Sequence, residues 1–184
     1  VIFKIPANTP VSIQPVDENG AAIQWMRSWF TGQPGEIVSC VGCHEDQNQI
    51  PIPKRTIASQ KAAEPLMKPD GGVRSFTFDL EVQPVLDRAC IACHTGEGKA
   101  FDLRGGKKDK EGFGLSYLNL HPYVHRQGPE ADIIVLQPYE YHANTSELIR
   151  VLKKGHYNVE LTDEEWRKLY NWIDYNAPDK GYFL

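Results

Sequence analysis

Two five-residue stretches carry the residue types that do chemistry, Cys40-Val41-Gly42-Cys43-His44 and Cys90-Ile91-Ala92-Cys93-His94. Both have the form C-x-x-C-H, and together they use all four cysteines of the chain. Two thiols at this spacing reach the two vinyl groups of one porphyrin as thioethers, and the adjoining histidine then lies under the ring with its imidazole turned to the iron. The pattern reads as two covalent c-type haems. Cys40, Cys43, Cys90 and Cys93 are the expected anchors, and His44 and His94 the expected proximal iron ligands.

Structural zinc competes, because two C-x-x-C pairs also make a four-thiolate site. The 46 residues separating Cys43 from Cys90 far exceed the roughly 15–20 of a compact zinc ribbon, and zinc gives no reason for a histidine after both pairs. A thioredoxin-like dithiol explains neither the duplication nor the histidines.

The protein controls a haem mainly through what fills the second axial position. Beyond His44 and His94 the chain offers His121, His125, His142 and His156, against only Met26 and Met67. That inventory favours bis-histidine ligation, with lower potentials than His/Met and little room for a substrate at iron. His142 and His156 flank a predicted helix over 145–154 about 15 Å long, so they cannot serve one iron but could serve two. No histidine lies between the motifs, so His142, with His121 as the alternative, is the expected distal ligand of the first haem. His125, in Tyr123-Val124-His125-Arg126, reads as exposed.

Elements must hold these groups in place. Over residues 1–39, Val1–Ile5 and Val11–Gln14 alternate apolar and polar, and the turn Asp17-Glu18-Asn19-Gly20 leads into Ala22–Met26, which predicts a small antiparallel sheet before the first haem. Trp25 and Trp29 read as core residues or haem-pocket walls. Residues 45–72 are polar and aperiodic, a linker. Phe78, Val82, Val85, Leu86 and Ala89 then share one helical face running into Cys90, with Pro84 placing the true helix start close to itself. Residues 95–141, with Lys107-Lys108-Asp109-Lys110, read as loop around a cofactor, the lysines solvated. A helix over Thr145–Lys154 ends at Gly155, and Thr162-Asp163-Glu164-Glu165 is a capping box opening a last helix that Pro178 stops. The expected fold is mainly α and cytochrome c-like with long loops, preceded by the β region. The expected division is 1–72 with the first motif and 73–184 with the second.

Composition fits this reading. The 184 residues are 41% hydrophobic and 24% charged with net charge −4, which excludes a disordered chain and a basic nucleic-acid binder. Apolar runs such as Ile133–Leu136 and Ala89–Cys93 fall far short of the roughly 20 residues of a membrane span. Gly 15 and Pro 13 argue for long irregular connections that need something besides an apolar core to fix them. Covalent haem attachment occurs outside the cytosol, so the expected location is periplasmic or extracellular. The chain opens Val1-Ile2-Phe3-Lys4-Ile5-Pro6 without Met or a leader pattern, as expected of a processed product or a segment of a longer protein.

Residues Phe76–His94, with Thr145–Leu148, Leu161–Glu165 and Trp172–Asp174, resemble the haem-binding and closing segments of the large planctomycete-type cytochrome c family. That resemblance implies a distal ligand between the last two helices, where this sequence has Gly155-His156, and so makes His156 the partner of His94. Ile5–Pro10, Arg27–Trp29 and Cys40–His44 are similar to the haem-bearing middle portion of hydrazine synthase alpha-subunit-like proteins, often longer chains with a β-propeller ahead of the haems. Here no propeller is present, and Asn48 stands where the hydrazine-forming enzyme has a tyrosine, so that chemistry is not implied.

The function expected from these residues is electron transfer by a dihaem cytochrome between redox proteins, with further domains or identical subunits as possible neighbours. Four propionates would take the charge to about −8 and favour basic partner surfaces. Two alternatives stay open: an enzyme acting on peroxide or a nitrogen compound at a five-coordinate first haem, and a structural subunit of a haem-stacking polymer.

Overall fold

A computed structural model describes residues 1–26, 28–40, 48, 55–67, 72–98, 100–128 and 136–181. The chain divides into two compact units, one of Val1–Ile13 with Arg27–Val73, the other of Gln14–Met26 with Arg74–Leu184. Segment 14–26, grouped with the first motif in the sequence reading, belongs to the second unit.

In the first unit, β1 (Phe3–Lys4) pairs with β2 (Glu64–Pro65), and the pairing is parallel, with Phe3 opposite Glu64. Among the described residues the predicted antiparallel sheet over 1–39 is not formed. Its contacts reduce to isolated bridges, Val11 with Phe30 in this unit and Val16 with Ala22 in the other. Pro6, Pro10 and Pro15 are the physical reason: each removes a ladder donor, so no extended run between them is long enough to pair. Among the described residues of this unit only Gly32 is buried. Trp29, expected in a core or pocket wall, is 64% exposed, since the short turns around it supply no apolar layer.

The second unit has a true core. Phe78, Val82, Val85, Leu86, Leu120, Ile149, Leu169, Trp172 and Ile173 are buried together. A π-helical turn, Phe78–Val82, winds into α1 (Gln83–Ala89), whose first turn holds Pro84; proline is harmless there because those N–H groups have no helical partner. Residues 95–141 are not all loop: α2 (Leu115–Leu120) lies within them, followed by a 3-10 turn, His121–Tyr123. The six residues of α2 give too little periodicity to read; what holds α2 is tertiary, with Leu120 and Ser116 buried.

α3 (Glu147–Lys153) and α4 (Asp163–Asp174) close the unit. α4 opens with the expected capping box, Thr162 accepting from the Glu165 N–H while the Glu165 carboxylate accepts from the Thr162 N–H. Phe78 lies edge-on to Trp172 at 5.2 Å, joining the π-helical turn to α4. Segment 14–26 is held by Asp174, whose carboxylate accepts the Ala22 N–H at 2.8 Å and the Ala143 N–H at 3.0 Å. No helix of the described residues is long and apolar enough to cross a membrane.

Candidate haem-binding site

The second C-x-x-C-H stretch is wound as a helical turn continuing α1. The Cys90 N–H donates to the Leu86 carbonyl, and the Cys93 and His94 N–H groups donate to the Cys90 carbonyl at 3.1 and 3.0 Å. Residues three and four apart on such a turn share a face, so Cys90, Cys93 and His94 project together. Cys93 is exposed and Cys90 half-buried, both with free thiols. Burial pushes the Cys90 thiol up to about 11, which favours a neutral sulfur over a metal-binding thiolate.

The loop after the motif orients the histidine. The Leu103 N–H donates to the His94 carbonyl at 2.9 Å, and Thr95 bridges Asp102. This brings the Phe101 carbonyl to 3.2 Å from His94 Nδ1. A carbonyl only accepts, so the contact favours the tautomer with the proton on Nδ1 and the lone pair on Nε2. Arg104 and Lys107 close on Asp102, each at 2.9 Å, and hold its carboxyl well below the usual range; Asn119 of α2 binds the Asp102 carbonyl at 2.9 Å. Gln83 knits the same region from inside, donating to the Leu103 carbonyl at 2.9 Å and accepting from the Ser116 hydroxyl at 2.6 Å.

His156 arrives from the other side. α3 ends at Lys153, and Gly155 takes φ +94°, the left-handed conformation that glycine adopts freely and that ends many helices. The turn brings the half-buried His156 ring to 6.1 Å from that of His94, centroid to centroid, with 35° between the planes. Two imidazoles on opposite sides of one metal atom, with bonds of about 2 Å and about 1.1 Å from each nitrogen to its ring centre, lie about 6 Å apart. The residues present therefore fit a metal already held in a planar macrocycle, which needs two axial side chains rather than a cage. Among the described residues no group of three or more His, Cys, Asp or Glu could hold a bare metal ion.

The remaining candidates are placed elsewhere. Cys43 and His44 lie outside the described residues; Cys40 is exposed with a free thiol. His121 Nε2 accepts from Arg126 Nε at 2.8 Å, and burial lowers its pKa. His125 is exposed and within 2.9 Å of the Thr145 hydroxyl. Met67 is 95% exposed. His142 sits in the interior of the second unit, 2% exposed, edge-on to Trp25 at 5.9 Å, with Nε2 3.3 Å from Gln127. Burial holds its pKa down to about 4, with the charge of His125 adding to the shift. Among the described residues its Nδ1 has no hydrogen-bond partner.

Residues 1–45 match the sequence model of the hydrazine synthase alpha subunit middle domain. The matched stretch ends one residue after the first C-x-x-C-H motif, so it takes in that motif and not the second. Comparison with curated proteins and with solved structures returns no significant match.

Three residues of the site were beyond sequence reasoning. Phe101 acts through its carbonyl, which carries no side-chain signal. Arg88 and Glu165 pair across 77 positions, and only the capping-box role of Glu165 is local enough to read.

Proposed function

We propose that the protein is a dihaem c-type cytochrome that passes electrons between redox proteins outside the cytosol. One observation carries the reading: the His94 and His156 ring centres stand 6.1 Å apart, a separation that suits two imidazoles sharing one metal, beside a C-x-x-C-H turn. In this reading Cys90 and Cys93 would anchor the second haem, and His94 and His156 would hold its iron. The haem, when bound, supplies a reversible one-electron couple. The residues do the rest. The Phe101 carbonyl fixes the His94 tautomer, the Gln83 and Asp102 contacts stiffen the loop, and His156 occupies the position a substrate would need. With both axial places taken, transfer of electrons is the chemistry left to that site. Cys40, Cys43 and His44 form the first attachment site.

A second reading has its own support. The stretch matching hydrazine synthase alpha subunit middle domain contains the first motif, which favours an enzyme in which the first haem acts on a small nitrogen compound or peroxide while the second supplies electrons. Carbon monoxide added to the ferrous protein separates the two. No binding at either haem is expected of the carrier; fast binding at one haem per chain would replace that account by the enzymatic one. A colourless purified protein, or one with the mass of bare polypeptide, would end both.

A further inference from the structure

The reading of His94 and His156 as axial ligands leaves open what keeps His156 in place, since it stands on a turn beyond α3 and not on a helix. The turn carries backbone strain: Tyr157 is 85% exposed, and Tyr157 and Asn158 have φ of +47° and +59°, a backbone conformation costly for side chains other than glycine. Arg88 provides the missing tie. It sits two residues before Cys90, at the end of α1, and its guanidinium reaches across to the segment that follows His156. Nη2 donates to the Glu160 carbonyl at 2.9 Å, and Nε and Nη2 grip the two oxygens of the Glu165 carboxylate. Glu165 also receives the Thr162 N–H at 2.8 Å. One planar fork thus binds the motif-bearing helix to both ends of residues 160–165.

We propose that Arg88 and Glu165 form a clamp that sets the His94–His156 separation, and so decides whether the second haem iron keeps its distal ligand. Arg88 is a positioning residue, acting through His156. The carboxylate is 12% exposed and the guanidinium 52%, so the pair is sheltered on one side only. The fork geometry makes it directional, which a lysine could not reproduce. Closed, the clamp keeps this haem a carrier; open, it would expose an axial position to small molecules.

The test uses the full chain with haem attached. In Arg88→Met, low-temperature electron paramagnetic resonance should show the high-spin fraction of one haem rising about tenfold, a shift of about 1.4 kcal/mol. Carbon monoxide should bind the ferrous form correspondingly more. Added imidazole should restore the low-spin signal, as expected if the only defect is an open position on the iron, and unchanged far-ultraviolet circular dichroism of Arg88→Met should show that the chain is still folded. Glu165→Gln keeps an acceptor for the helix cap and should act in the same direction with unchanged far-ultraviolet circular dichroism. In a His156→Ala background, Arg88→Met should add nothing. An unchanged low-spin signal in Arg88→Met, no imidazole rescue, or a full additional effect in His156→Ala would each overturn the clamp. If instead the pyridine haemochrome and peptide mass show no haem on Cys90 and Cys93 of the unaltered protein, the ligand reading itself fails.

Discussion

Asp174→Asn tests the interior electrostatics of the second unit. Asp174 is 2% exposed and accepts the Ala22 and Ala143 N–H groups. Burial pushes its carboxyl up to about 6, against those two hydrogen bonds, which pull it down, and with the Asp17 charge adding to the rise. The folded value lies above the unfolded one of 3.8, so protonation favours the fold. This contribution is fully present below pH 3.8 and is lost as pH rises through 6. About two pH units of difference correspond to about 3 kcal/mol in full, of which about 2 kcal/mol is gained between pH 7.5 and 4.5. Asparagine does not titrate, and it offers one acceptor oxygen for two donors, so one buried N–H loses its partner at a cost of about 1–3 kcal/mol at every pH. Urea unfolding of both proteins from pH 7.5 to 4.5 gives the difference directly. The original protein should gain about 2 kcal/mol on the variant over that range. A difference that is constant with pH would refute the reasoning, because it would mean that Asp174 titrates alike in folded and unfolded chains.

Three further outcomes follow from the same packing. Gln83→Leu removes the buried amide that joins α1, α2 and the Leu103 carbonyl, leaving buried groups unpaired at about 1–3 kcal/mol each, and chemical denaturation should register the loss. The side chains of Trp25, Gln127 and Glu140 line a cavity of about 10 Å³ beside His142, room for about one water, and a crystal structure should show one bonded to Nδ1. His142→Ala should lower stability by roughly 2–4 kcal/mol, measured by thermal unfolding.

What could be read from the sequence was what is decided locally. The capping box of α4 needs four neighbouring residues; the start of α1 is set by one proline. The C-x-x-C-H turn is local as well. The strand pairing was misread because alternation at period two marks extended chain without naming its partner, and Phe3–Lys4 finds Glu64–Pro65 some 60 positions away. α2 was missed because its stability comes from Gln83 and the core and hardly from its own six residues. The meeting of His94 and His156 followed from a resemblance; no spacing rule would have supplied it. Buried polar hubs such as Gln83 and Asp174 look in sequence like any surface amide or acid.

Because Gln14–Met26 is counted in the second unit while the residues on either side of it belong to the first, no single scissor cut yields either half intact. A fragment starting at Arg74 would lack Ala21, part of the core, and the Ala22 amide that Asp174 binds. The second unit is therefore sewn from stretches of chain lying on both sides of the first C-x-x-C-H stretch and cannot be lifted out as a single cassette. Swapping either half between proteins would require the loop of thread to travel with the cloth it is sewn into.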